Sequence, residues 1–136
     1  GSSLGSHLLN TYTILQAVKA PEEVALAGGL HSIYGTNSFK KQTISSREQL
    51  ASIFGCKTER LVWMFCSLKR PRDLETVPDE GGKLKNRCTG ELICLDDQDV
   101  YDLRLIEAAN LLEQGSTLAD YPKICATMER QMGLAG

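Results

Sequence analysis

The sequence predicts an all-α fold of about six helices, with a polar loop or small hairpin inserted near residues 72–96. Apolar residues recur at helical rather than alternating spacing over most of the chain, and helix caps and stops punctuate the stretches between them. Only one short run, residues 91–95, reads as a strand. The length of 136 residues suits one domain, taken as 1–136, with residues 1–5 read as a tag remnant or trimmed terminus. With 42% hydrophobic and 24% charged residues, the chain can bury a core and is too apolar for disorder.

Each element follows from local chemistry. The first helix is predicted over residues 6–19, with Ser6 as N-cap and Leu8, Tyr12, Leu15 and Val18 near one face. Pro21-Glu22-Glu23 opens the second, because proline suits a first turn and carboxylates oppose the helix dipole there. Its Val24, Ala25, Leu26, Ala27 and Leu30 make it nearly apolar, Gly28 and Gly29 admit a close neighbour, and Tyr34-Gly35-Thr36-Asn37 ends it. Ser45-Ser46-Arg47-Glu48 reads as a capping box for a third helix, ending at Phe54 with Gly55 as its left-handed stop.

Thr58 opens a fourth helix that is apolar all round through residues 61–68, hence central, and Pro71 ends it. Residues 72–90 are polar and rich in turn formers, predicting a long loop with a hairpin between 83–87 and 91–95. Asp96 or Asp97 caps a fifth helix that Gly115 stops. Asp120-Tyr121-Pro122 opens a sixth, with Met128 and Met132 in a packing stripe and Gly133 as its stop.

Charge and cysteine usage narrow the function classes. Fifteen basic and seventeen acidic residues give a net charge of -2, which supplies no field for nucleic acid or an anionic membrane. The longest apolar run, residues 61–66, falls far short of the roughly 20 residues that span a bilayer. Five cysteines without paired spacing, no N-x-[ST] acceptor and no signal peptide predict a reducing cytoplasm. Neither a phosphate loop nor a G-x-S-x-G elbow occurs.

Two histidines carry the candidate chemistry. His7 begins the first helix and His31 ends the second, so antiparallel packing would make their imidazoles neighbours, and imidazole is both a metal ligand and a general base. The plainer alternatives are a surface histidine at position 7 and a hydrogen-bonded core histidine at 31. Ser32, Tyr34 and Thr36 crowd donors and acceptors beside His31 and predict a polar pocket. Arg47 is a candidate ligand contact, since a cation in a first helical turn opposes the dipole unless an anion or Glu48 is near. Arg60, Lys69 and Arg70 fit either an anionic ligand or solvated helix ends. Asp96, Asp97, Asp99 and Asp102 lack the Gly and Glu of a calcium loop and read as caps. Trp63 and Phe65 are core or pocket wall.

Leu30-His31, Phe54-Gly55 and Leu61-Val62, with His7 ahead of them, resemble in order and approximate spacing the HD-domain superfamily, and within it the alarmone (guanosine tetraphosphate) hydrolases. The run Ala27-Gly28-Gly29-Leu30-His31-Ser32-Ile33-Tyr34-Gly35-Thr36 is also similar to a family of small uncharacterised domains sharing His-Ser-x-Tyr-Gly-Thr. The likeness covers about residues 6–70 and again 107–113. It implies an HD-like bundle with His7 at the first metal-ligand position and Glu107 at the late carboxylate position, where the residues alone also fit an exposed helix glutamate. Ser32 stands where that superfamily has Asp, and Gly35 and Thr36 replace its acidic pair. The usual dinuclear centre is therefore degraded. His7, His31 and Glu107 would make a two-His-one-carboxylate set for one divalent metal (Fe, Zn or Mn).

The expected function is a small-molecule, hydrolase-like enzyme. His31, His7 and Tyr34 would supply acid/base chemistry, and Ser32, Thr36 and Arg47 would hold a polar or phosphorylated small molecule. The alternatives are a noncatalytic ligand-binding or interaction module and, third, a mononuclear iron oxygenase.

Overall fold

A computed structural model describes residues 4–31 and 43–136 of the chain, with side chains for 10–31 and 47–136. The architecture is mainly helical. In chain order it comprises α1 (Leu4–Ala17), α2 (Glu22–Leu30), α3 (Thr43–Phe54), α4 (Cys56–Ser67), α5 (Arg72–Thr76), β1 (Gly81–Lys85), β2 (Leu92–Asp96), α6 (Asp97–Glu113) and α7 (Pro122–Ala135). No described helix is long and apolar enough to cross a membrane.

The core forms around α6, which packs against α1, α2, α4, α5, α7 and both strands. Its buried residues include Val100, Leu103, Leu105, Ile106, Ala108 and Ala109, and they meet Leu15, Val24, Leu61, Met64, Phe65 and Ile124 in one cluster. The fourth helix was the expected centre, and α4 does bury Leu61, Val62, Met64 and Phe65. That α6 is more central follows from Asp102, Arg104, Glu107 and Asn110, all buried and each bonded to a partner, so that polar letters line an interior helix.

Several boundaries move. The first helix stops at Ala17, because the chain turns through Val18 and Lys19, whose φ is 58°. The second ends at Leu30 with His31 as C-cap, and the expected 34–37 stop lies outside the described residues. The third begins at Thr43, ahead of the expected Ser45 cap, while Gly55 (φ 96°) separates α3 from α4 as expected. Thr58 lies inside α4, which begins at Cys56, and its hydroxyl donates to the Glu23 carbonyl at 3.3 Å.

The polar segment is not all loop. Pro71 leads into α5, whose Asp73 carboxylate accepts the Lys69 amide at 2.9 Å. The hairpin pairs Gly81 with Asp96 through Lys85 with Leu92, two residues earlier on its first strand than expected. Asn86 explains the shift, because its side-chain oxygen takes the amides of Cys88 and Thr89 and folds the chain into the turn. Gly81 (φ 107°) packs where a Cβ would strike the Leu95 carbonyl.

Asp96 caps α6 in a reciprocal capping box with Asp99, and Gly115 (φ 78°) stops the chain just beyond it. Gly133 is no stop. It keeps a helical backbone and α7 continues to Ala135, since glycine permits a left-handed turn without compelling one.

Gly28 marks the closest approach of α1 and α2. A Cβ there would collide with Leu15 Cδ1 and lie 3.3 Å from Thr11 Cγ2, and both residues are fully buried. Alanine gains helix propensity but overpacks a filled site, so Gly28→Ala is expected to lose about 1 kcal/mol net. A urea midpoint lowered at unchanged slope would show it.

Candidate functional site

His31 ends α2 with its ring buried. Its Nδ1 lies 2.6 Å from the Gly28 carbonyl. A carbonyl only accepts, so Nδ1 carries a proton and donates it there. The ring meets Phe65 edge-on, with centroids 5.2 Å apart and planes at 74°. The His31 carbonyl accepts the Cys66 thiol at 2.7 Å, so two consecutive α4 residues fix its ring and its backbone. The core-histidine alternative describes this placement.

Phe65 carries the cluster onward. The Arg70 guanidinium lies 3.7 Å from its ring centroid, and Arg70 Nη1 donates to Glu107 Oε2 at 3.0 Å. Asn110 donates to the same oxygen at 3.1 Å. Glu107 is 1% exposed, which overturns its reading as a surface glutamate. Burial pushes its carboxyl above the usual range by more than Arg70 and Asn110 pull it down. The structure thus connects two of the expected site residues, His31 to Phe65 by a ring contact and Glu107 to Phe65 through Arg70.

The other expected site residues divide. Arg47 is held by an internal carboxylate. Its Nε donates to Glu59 Oε2 at 2.7 Å and its Nη2 to Oε1 at 3.2 Å, while the guanidinium lies 4.5 Å from the Trp63 ring centroid. The anion expected near it is therefore Glu59, reached across the α3–α4 packing, rather than Glu48. The His7 side chain and Ser32, Tyr34 and Thr36 lie outside the described residues.

Arg60 clasps Asp99 at 2.6 and 2.9 Å, and Lys57 lies 3.5 Å from Asp102. With Arg70–Glu107, three ion pairs join α4 and its exit to α6. Asp99 caps as expected. Asp102 does not: it is buried within the helix and accepts the Gln98 amide at 2.8 Å, and burial pushes its carboxyl up.

Of the metal set implied by the resemblance, only His31 and Glu107 have described side chains. His31 is held through Nδ1 on the Gly28 carbonyl, as metal-ligating histidines commonly are. Glu107 fits less well, because Oε2 already serves a guanidinium and an amide, and a divalent ion there would face a fixed cation. Among the described residues no three His, Cys, Asp or Glu groups converge on a metal-holding point.

Nor is Cys66 a nucleophile, because burial pushes its thiol up to about 11. With iodoacetamide at pH 8, the exposed Cys56, Cys88 and Cys94 are expected to alkylate at least about tenfold faster than Cys66, read by mass spectrometry of the peptides.

A described cleft lies elsewhere. It encloses about 430 Å³ between α6, α7 and the turn before β1, and Tyr101, Arg104, Lys123 and Arg130 line it. Sequence reasoning passed over it. The available signal was polar residues at helical spacing on consecutive helices, 98, 101 and 104 on one and 123, 127 and 130 on the next.

A family profile described as Domain of unknown function (DUF6817) matches residues 1–70, just over half of the chain. The chain belongs to this family. The DUF6817 region runs from α1 to Arg70, so it supplies His31, Phe65 and Arg70, whereas Glu107 and the α6–α7 cleft lie beyond it. No curated protein and no solved structure matches the chain.

Proposed function

We propose that this protein is a noncatalytic binding module for a polar or phosphorylated small molecule, on an HD-like helical scaffold whose metal centre has been replaced by side-chain pairing. The Arg70–Glu107 contact carries this reading. A carboxylate that ligates a metal or activates water is best left free of a fixed cation, and here Oε2 of Glu107 serves both a guanidinium and an amide inside the core. His31 on Gly28 and Arg47 on Glu59 follow the same pattern: groups suited to chemistry are spent on the fold. The HD-like scaffold is supported by the apolar helix ending in Leu30-His31 and by the Phe54-Gly55 stop before the next buried helix. Five free thiols suit a reducing cytoplasm.

The second reading is the hydrolase-like enzyme. The raised carboxyl of Glu107 favours it, because perturbed acids cluster at acid/base sites.

Metal analysis of purified protein after reconstitution with iron, zinc or manganese separates the two, alongside turnover of phosphate mono- and diesters. The binding module is expected to hold well under one equivalent, to the same extent in wild type, His31→Ala and Glu107→Gln, and to turn nothing over. Near-stoichiometric metal that both variants lose, together with ester hydrolysis, would overturn it.

A further inference from the structure

We propose that the α6–α7 cleft is the ligand site, and that it takes a phosphate monoester bearing hydroxyl or amino groups at its other end. This deepens the binding-module reading and rests on it. The cleft volume of about 430 Å³ lies within the ~300–1,000 Å³ typical of small-molecule sites.

Its floor is Arg104, 4% exposed and rigidly held. Nε donates to the Leu74 carbonyl at 2.7 Å, Nη2 to the Val77 carbonyl at 2.6 Å and Nη1 to Asp79 at 2.7 Å. A guanidinium carries five N–H donors, so two remain after these bonds. One wall is the ring of Tyr101, fixed by its hydroxyl on Gln131 at 2.7 Å, with the Arg130 guanidinium 5.6 Å from its centroid.

Lys123 and Arg130 are exposed on the opposite helix. Unlike Arg47, Arg60 and Arg70, neither has a carboxylate within salt-bridge distance among the described residues. The cleft acids offset these charges only in part. Asp79 is paired with Arg104, so among the acids lining the cleft Asp97 alone stands against Lys123 and Arg130, which leaves the lining net positive. In a chain of net charge -2, this is a local positive site made of side chains.

The helix N-termini contribute little. Asp96 already caps α6, and Glu75 takes the Lys123 and Ile124 amides at the start of α7. Lys123 and Arg130 therefore select the anionic group by charge-assisted hydrogen bonds. Asp97 repels a second anionic end and accepts from hydroxyl or amino groups, which sets the polarity of the ligand.

The probe is ribose 5-phosphate, titrated into isotope-labelled full chain and followed by amide shifts, with ribose and inorganic phosphate as comparators. Saturable shifts confined to residues near 97–104 and 123–130 are expected, weaker for phosphate and absent for ribose. Lys123→Gln and Arg130→Gln should each weaken binding about tenfold with the remaining spectrum unchanged, the loss of one charge-assisted hydrogen bond. Asp97→Asn should abolish the preference for ribose 5-phosphate over phosphate.

Absent or scattered shifts, or shifts untouched in the Lys123→Gln/Arg130→Gln double variant, would overturn the proposal. Metal and turnover at His31 with the cleft titration intact would overturn the noncatalytic reading alone. No metal and no cleft binding would overturn only the site.

Discussion

Glu107→Ala is expected to destabilise the protein by about 3 kcal/mol, whereas Glu107→Gln costs under about 1 kcal/mol near neutral pH. Alanine strips the acceptor from both Arg70 and Asn110, leaves a guanidinium pinned against Phe65 and opens a cavity at a residue 1% exposed. Glutamine keeps the shape and an accepting oxygen, and it removes a charge that burial disfavours.

The pH dependence follows from the sign of that shift. An acid whose folded pKa is raised binds its proton more tightly in the folded state. Its contribution is fully present below its unfolded value of about 4.3 and is lost as pH rises through the raised folded value. Wild-type stability, measured against Glu107→Gln by urea unfolding from pH 4 to 8, should therefore fall over that window and then level off. A difference that grows in favour of wild type would mean that pairing with Arg70 outweighs burial, and the argument would fail.

Phe65→Ala carries the second large effect, about 3–5 kcal/mol. The ring is fully buried and takes the His31 edge on one contact and the Arg70 guanidinium on another. Removing it opens a void and unseats both polar groups. Phe65→Leu keeps most of the volume and should cost about 1.5 kcal/mol at most beyond those ring contacts. A double-mutant cycle of Phe65→Leu with Arg70→Met, followed by thermal melts, should return a coupling of about 1 kcal/mol. Strict additivity would show that the guanidinium–ring contact contributes nothing.

What could be read from the sequence was local. Phe54-Gly55, Asp96, Gly115 and Pro122 mark helix ends through chemistry that acts within a few residues, and each stands at or beside a helix end. What could not be read was settled across distance. Arg70 and Glu107 are 37 positions apart, and nothing in either neighbourhood announces the other. Helix α5 has five mostly polar residues, and its carboxylates bind the Lys69 amide and the start of α7, so contacts outside the helix help to fix it.

Burial of α6 was equally hidden, because hydropathy counts Asp102, Arg104 and Glu107 as surface letters while their partners make them interior ones. At the candidate site, His31 was legible as a core histidine. Arg47 was legible as a cation in need of an anion, but which anion depended on how α3 meets α4.

The central position of α6 separates two kinds of unit. The matched family region ends at Arg70, yet Leu61, Met64 and Phe65 belong to the cluster that α6 completes, and the carboxylate for Arg70 comes from the same helix. Cut after that point, the chain would turn its apolar face to water and leave a cation without its counterion. The stretch that the profile matches thus shares its core with residues beyond it. Whatever DUF6817 does here, it does with a hydrophobic interior borrowed from residues outside its own boundary.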